Sequence, residues 1–266
     1  MPVSSNKTTA GGANGAFQTT HWSEFLEARS GDEGQRQAAL GELLTRYWKP
    51  VYCYLRCKGY DREVSKDLTQ GFFHKVVLGR GLFERADRAR GRFRTFLLTC
   101  LNRYVGKIQR AGRAKQRTPE GGLVSLEHVD WLNVPEPAHC ATPGEVFDYV
   151  WASALLDQVL DRVNRKCCET GNRVDWELFR ERFLLPILDN SEAPSLDCLC
   201  EKYGVRKPAQ ASKMILRVKS VFRAALRREV RQLVDSDNQV EDEIGYLMEI
   251  FSKGEGRFGS DMDIYK

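Results

Sequence analysis

The sequence lacks any apolar run near the roughly 20 residues that a helix needs to cross a bilayer. It also lacks a signal-peptide core after Met1, so we expect a cytoplasmic protein with no membrane insertion. Its eight cysteines include no CxxC spacing, and its four histidines form no ligand pattern with them. These absences argue against a disulfide scaffold and against a zinc site. We therefore expect neither a metal nor a cofactor.

Strand-like alternation of polar and apolar residues is absent as well, and apolar residues recur instead at helical three- and four-residue steps. The pattern predicts an all-α protein of two small helical domains joined by an extended acidic linker, the second domain containing a helix-turn-helix. We divide the chain into a disordered N-terminal tail (1–16), a first domain (17–117), the linker (118–144), a second domain (145–234) and an acidic amphipathic C-terminal extension (235–266). Within the first domain, Pro50 predicts the start of a new helix that Gly59 closes.

Charge is strongly segregated although the net charge is only +5. Between Arg85 and Arg117 the only acid is Asp87, whereas residues 118–148 contain no lysine or arginine. Concentrated positive charge of this kind indicates a site for a polyanion, most often nucleic acid. Aromatic residues within the basic run either stack on bases or turn inward into a core, as most helical aromatics do; they are Phe93, Phe96 and Tyr104.

A second signal lies near the C-terminus, in SLDCLCEKYGVRKPAQASKMILRVKSVFRAALRREVR. Ser195 is placed to cap a short helix, Gly204 allows a sharp turn, and Pro208 begins a longer helix. The longer helix has a polar, basic side that is typical of the recognition helix in a helix-turn-helix. A plain hairpin of two helices would produce a similar pattern, and it remains the alternative.

Three passages, in this order, resemble bacterial RNA polymerase sigma factors of the extracytoplasmic-function type, the minimal two-domain members of the sigma-70 family. LLTRYWKPVYCYLRCKGY followed by SKDLTQGFFHKVV resembles the family's first conserved block. GRFRTFLLTCLNRYVGKIQR resembles the block that melts and holds the −10 element, and the C-terminal motif resembles the domain that reads the −35 element. The resemblance covers roughly Phe17 to Val234 and depends on the order and spacing of the passages.

The resemblance implies a non-enzymatic sigma factor that binds core RNA polymerase and directs promoter-specific transcription initiation. Its partners would be core RNA polymerase and promoter DNA, and an anti-sigma factor is a further partner that the family allows. The implied polymerase-binding residues are Asp67, Gln70 and Phe73. The implied DNA-binding residues are Arg92, Arg94, Asn102, Arg103, Lys107 and Arg110 in the first domain, and Lys207, Gln210, Lys213 and Arg217 in the second.

Three features depart from the family pattern, and one of them is Phe96, which replaces a frequent tryptophan. Gly71 stands where the family usually has an acid. The extension carries an apolar stripe at helical spacing among acidic residues, and such a stripe needs a partner surface; its members are Val240, Ile244, Leu247, Met248 and Phe251. The extension either folds back and restrains DNA binding or simply packs beside the helix-turn-helix.

Two other classes of protein remain as alternatives. A stand-alone helix-turn-helix transcriptional regulator would use the same C-terminal motif without polymerase. A nucleic-acid enzyme is much less well supported, because it would need clustered carboxylates for a metal or an activated nucleophile. Asp61, Glu63 and Asp67 share one helical stretch but have no glycine-rich or histidine support.

Overall fold

The computed structural model describes residues 33–78, 92–114, 142–188, 191–234 and 236–255, and in these ranges every regular element is a helix. The α-helices are α1 (Glu33–Cys57), α2 (Arg62–Phe72), α3 (Phe93–Ala114), α4 (Pro143–Glu169), α5 (Arg173–Phe179), α6 (Leu185–Leu188), α7 (Leu196–Tyr203), α8 (Pro208–Arg231) and α9 (Asn238–Glu255). Two π-helical turns, Phe73–Leu78 and Arg180–Leu184, follow α2 and α5. The predicted all-α class is confirmed for this part of the chain. The predicted tail (1–16) and most of the predicted linker (118–144) lie outside the described residues.

Local signals place most of the helix boundaries. The Asp61 carboxylate accepts a hydrogen bond from the Val64 N–H at 2.8 Å and so begins α2. Thr142 and Glu145 form a reciprocal capping box at the start of α4. The Ser195 hydroxyl accepts from the Cys198 N–H at 3.2 Å, as predicted for α7. Gly204, with φ +66°, ends that helix in the left-handed conformation that glycine adopts without strain.

The predicted helix break at Pro50 is wrong. Helix α1 continues through Pro50 to Cys57, although proline removes one backbone hydrogen bond from a helix interior. The residues that follow, Val51 and Leu55, are fully buried, so their packing favours continuation of the helix over a break. Gly59, with φ +88°, marks the end of this segment as predicted.

In the described ranges the helices surround two main hydrophobic cores, beside a small third cluster of Tyr52, Cys53 and Val146. The first core is built from α1, α2, α3, the N-terminal half of α4, the C-terminal end of α8, and α9. The second core is built from the C-terminal half of α4 together with α5, α7 and α8. Helices α4 and α8 therefore contribute to both cores and connect them.

The predicted division of the chain does not coincide with a division of the core. Phe147, which lies in the predicted second domain, is fully buried in the first core, and its ring stacks on Tyr47 with centroids 6.3 Å apart. Val240 and Leu247 of the predicted extension are buried in the same core. Burial of these side chains removes apolar surface from water and holds α4 against α1, and α9 against α4 and α8.

Candidate nucleic-acid interface

Helix α3 presents a row of cations to solvent. Arg103, Lys107 and Arg110 are four and three residues apart, so they lie on one side of the helix, and all three are exposed. Asn102 beside them is also exposed, and its side-chain oxygen accepts a hydrogen bond from the Tyr54 hydroxyl. Four of the predicted DNA-binding residues thus lie on an accessible surface. We call Arg103, Lys107 and Arg110 the α3 row.

Arg94 lies on the opposite side of α3, in the first core. Its side chain is 6% exposed. The guanidinium carbon lies 4.4 Å from the ring centre of Trp151 in α4 and 4.5 Å from that of Tyr246 in α9. Both distances are within the range of cation–π attraction. The structure therefore does not bring Arg94 to the surface that the prediction assigned to it.

Arg92 and Arg94 converge on one buried carboxylate, that of Glu243. The Glu243 side chain is 1% exposed, and Arg94 Nη1 donates a hydrogen bond to its Oε1. Arg92 Nε lies 2.9 Å from Oε2, an ionic contact without hydrogen-bond alignment. Asp148 of α4 adds a second acid, with Oδ1 3.8 Å from Arg94 Nε. We call Arg92, Arg94, Asp148, Glu243 and Tyr246 the charged cluster.

Burial changes the acid–base behaviour of the charged cluster. Desolvation is the main cause that raises the pKa of Asp148, and Glu243 adds to it, whereas the Tyr246 hydrogen bond and Arg94 oppose it. Tyr246 donates that hydrogen bond to Asp148 Oδ2 at 2.9 Å. Desolvation and the nearby Asp148 charge raise the pKa of Tyr246 in turn. The cluster therefore favours a neutral Asp148 more than water does.

The raised pKa of Asp148 predicts a pH-dependent effect of Asp148→Asn. The proton on Asp148 stabilises the folded protein below the unfolded pKa of about 3.9, and this contribution is lost as pH rises through the higher folded pKa. Asparagine never ionises, so the melting temperature of the variant relative to wild type should be higher at pH 7 than at pH 3.5. Thermal melts at both values measure this.

Tyr246→Phe is the matched comparison for this experiment, because it removes a hydrogen bond that favours ionised Asp148. The melting temperature of Tyr246→Phe relative to wild type should therefore be lower at pH 7 than at pH 3.5. A constant difference between Asp148→Asn and wild type from pH 3.5 to 7 would contradict the environment described for Asp148.

Helix α8 carries the second set of predicted DNA-binding residues. Lys207, Gln210 and Lys213 are exposed around its N-terminal end. Arg217 is about half exposed, and its Nη1 donates to Asp175 Oδ2 at 2.7 Å and to Asn172 Oδ1 at 3.0 Å. Because Asp175 itself is buried, Arg217 is held against the start of α5. The first three side chains are accessible, and the fourth is anchored.

Glu241 of α9 and Asp237, just before this helix, also reach the C-terminal part of α8. Glu241 Oε1 lies 2.8 Å from Arg227 Nη2, and Asp237 forms an ion pair with Arg231. Both pairs are exposed, so solvent screens them and each contributes little to stability. Together with Glu243, these acids give α9 ionic contacts with cations of both α3 and α8.

The three predicted polymerase-binding residues differ in their exposure to solvent. Asp67 is exposed and Gln70 is half-buried, whereas Phe73 is fully buried. The Phe73 ring packs edge-on against Phe72 with centroids 5.4 Å apart. Phe73 therefore supports the position of α2 from within the core and presents no surface to a partner in this arrangement.

The structure gives a reason for Gly71. A Cβ atom built at this position would overlap the hydroxyl group of Tyr104 from α3. Tyr104 is held there partly by packing against the Phe72 ring, with centroids 5.7 Å apart. An acidic side chain at position 71 would thus require Tyr104 to move, and glycine permits the close approach of α2 and α3.

The sequence pattern missed the acidic half of the charged cluster. Asp148 and Glu243 are separated from Arg94 by 54 and 149 residues, so no local spacing connects them. The one available signal was Glu243 within the EDE run beside the apolar stripe of the extension. Among the described residues, no group of histidine, cysteine and acidic side chains is placed to hold a metal ion.

None of the described helices is both long enough and apolar enough to span a membrane. Comparison of the chain with protein-family models, with curated proteins and with solved structures finds no match. The assignment of the two basic surfaces therefore depends on their chemistry and on the sequence resemblance.

Proposed function

We propose that this chain is a sigma-type specificity factor that binds core RNA polymerase and directs promoter-specific transcription initiation. The observation that carries the proposal is the presence of two exposed basic helical surfaces on an all-helical chain. One is the α3 row, on a helix of the first core, and the other surrounds Lys207 and Lys213, on a helix of the second core. Two such surfaces suit successive elements of one promoter, because phosphate neutralisation supplies most of the affinity at each.

The first surface would hold the −10 element as single-stranded DNA. The α3 row provides cations for the backbone, and Asn102 beside it adds a side-chain amide that suits a base edge. Phe93 is buried and Phe96 is partly buried in the first core, so neither ring is offered freely for stacking. The proposed −10 contact is therefore mainly electrostatic and should be sensitive to salt.

The second surface would read the −35 element as duplex DNA, with α7 and α8 acting as a helix-turn-helix. In that motif the N-terminal residues of the second helix contact base edges in the major groove. Gln210 and Lys213 lie at this end of α8, and their side chains are suited to base edges. Arg217, held by Asp175, would meet a phosphate with little loss of side-chain freedom.

Polymerase binding is assigned to the surface of α2 that includes Asp67 and Gln70. The proposal treats residues 17–117 and 145–234 as two functional domains even though they share the first core, and it implies a cytoplasmic protein. Each DNA contact is weak alone, so promoter specificity would come from tethering both surfaces to one polymerase.

Replacing Lys207 and Lys213 with alanine tests the domain assignment. The template is a promoter selected with the wild-type protein and core polymerase. On this template the double variant should lower run-off transcription about tenfold, because each lost base or phosphate contact weakens DNA binding. Binding to core polymerase, measured by co-purification, should be unchanged. Arg165→Ala with Lys166→Ala removes the same charge from exposed positions at the end of α4 and should leave transcription intact.

Three results separate the proposal from its alternatives. Loss of polymerase binding in the double variant would contradict the assignment of α8 to DNA. A wild-type protein that binds duplex DNA but never co-purifies with polymerase would support a stand-alone regulator. A wild-type protein that binds neither would overturn the proposal.

A further inference from the structure

Acidic residues of α9, together with Asp237 just before it, contact arginines at the start of α3 and at the end of α8. Glu243 pairs with Arg92 and Arg94 of the α3 region, while Glu241 and Asp237 pair with Arg227 and Arg231 at the end of α8. Most surface helices direct acids to solvent or to cations on their own turns. Here the side that faces the protein carries both apolar residues and a buried carboxylate.

The environment of Glu243 resembles that of a bound phosphate. Two arginine side chains approach one carboxylate, and guanidinium groups recognise carboxylate and phosphate oxygens with the same geometry. Tyr246 covers both arginines, with its ring centre 4.8 Å from the Arg92 guanidinium and 4.5 Å from that of Arg94. A nucleic acid could reach the exposed Arg92 directly, whereas contact with the buried Arg94 would require displacement of α9.

Helix α9 is attached to the rest of the protein along one side, where Ile244, Ile250 and Phe251 also pack against the first core. Val240 and Leu247 are buried in the first core, whereas Met248 is 68% exposed and the Glu249–Lys253 pair is exposed. Arg94 would retain Trp151 and Asp148, both on α4, if α9 moved away. Release of α9 would thus free the already exposed Arg92 from its ion pair and uncover one side of Arg94, without removing every partner of Arg94.

We propose that α9 is an intramolecular latch whose Glu243 occupies Arg92 and Arg94 in place of nucleic-acid phosphate. The inference rests on the proposed function and adds regulation to it. In the latched state Glu243 engages the Arg92 and Arg94 guanidinium groups, and the α3 row is the main cationic surface open to single-stranded DNA. In the unlatched state more cations are open to phosphate, with Arg94 on the side of α3 opposite to the row.

Glu243→Gln in the full chain tests the latch, with a labelled mixed-sequence single-stranded DNA of about 20 nucleotides as the probe. Glutamine keeps the size of the side chain and removes its charge, so α9 loses its hold on both arginines. We expect binding to tighten about tenfold at roughly 50 mM salt, with a steeper dependence on salt. Glu249→Gln makes the same charge change on the exposed side of α9 and should alter affinity by no more than about twofold.

A second substitution ties the effect to the proposed contact. Adding Arg92→Gln to Glu243→Gln should weaken single-stranded DNA binding at least threefold relative to Glu243→Gln alone, because one of the two released cations is then missing. Equal affinities for the Glu243→Gln and Glu249→Gln proteins would overturn the latch. So would an undiminished gain in the Arg92→Gln background.

Hydrogen exchange of the wild-type chain provides a test that requires no variant. Amides of residues 238–255 should exchange faster when saturating single-stranded DNA is present, because DNA displaces α9 from the first core. Unchanged or slower exchange in this segment would show that α9 is a fixed part of the fold and would overturn the proposal. Run-off transcription with core polymerase reports on the proposed function independently, since a latch failure would leave wild-type transcription in place.

Discussion

Replacing Arg103, Lys107 and Arg110 together with alanine should weaken binding of single-stranded DNA by about 100-fold at roughly 50 mM salt. The three side chains are exposed on one side of α3, so they act on the same stretch of phosphates. Each phosphate contact to a single strand contributes about 0.7 to the slope of log affinity against log salt, and the slope should therefore fall by about two. Fluorescence anisotropy over a salt series measures both quantities.

A triple variant of equal charge is the control. Arg165, Lys166 and Arg173 are exposed cations of α4 and α5, away from the first core. Their replacement by alanine lowers the net charge of the protein by the same amount but should change affinity by less than about threefold. Equal losses in the two triple variants would mean that binding reflects overall charge and that the α3 row is not a site.

Local features of the fold could be predicted from the sequence because their causes are local. Ser195 caps α7, Gly204 turns the chain, and Pro208 begins α8, each within a few residues of the structure that it determines. The exposed row on α3 follows in the same way from the spacing of its cations along one helix. These features need no knowledge of what the helices pack against.

Features that depend on packing could not be predicted in this way. Pro50 signals a helix start, yet α1 continues because the buried residues around Pro50 fit the first core. Phe73 belongs to a passage that suggests a binding surface, but its position at the start of the π-helical turn after α2 places it in the core. Arg94 reads as one more cation of a basic run, and only the approach of α4 and α9 shows that it is buried.

The predicted domain boundary can be compared with the extent of the first core. The sequence pattern predicts a boundary near residue 144, where the chain changes from proline- and glycine-rich to helical. The structure continues the first core across that point, since Phe147 and Trp151 of α4 are buried with α1 and α3. Amino-acid composition predicts where a chain is extended. Which residues belong to a core depends instead on which apolar faces pack together.

Arg94→Met should lower the free energy of unfolding by about 3–5 kcal/mol, because it leaves Glu243 buried without its main partner. Methionine is close to arginine in length and can fill the space between Trp151 and Tyr246, so the loss reflects the uncompensated charge more than a cavity. Glu243→Met should be similarly destabilising, because it leaves the buried Arg94 guanidinium without its carboxylate partner. Denaturant unfolding of each variant measures the change.

The double variant, with Arg94→Met and Glu243→Met, should recover most of the loss and come within about 1 kcal/mol of wild type. Additive losses in the double variant would contradict a direct pair between these residues. If Arg94→Met alone kept wild-type stability but weakened DNA binding, Arg94 would instead lie on the nucleic-acid surface in solution. The coupling energy between the two positions also determines how strongly α9 is held. A stronger pair leaves a smaller fraction of molecules in which α9 is released and Arg92 and Arg94 can bind phosphate.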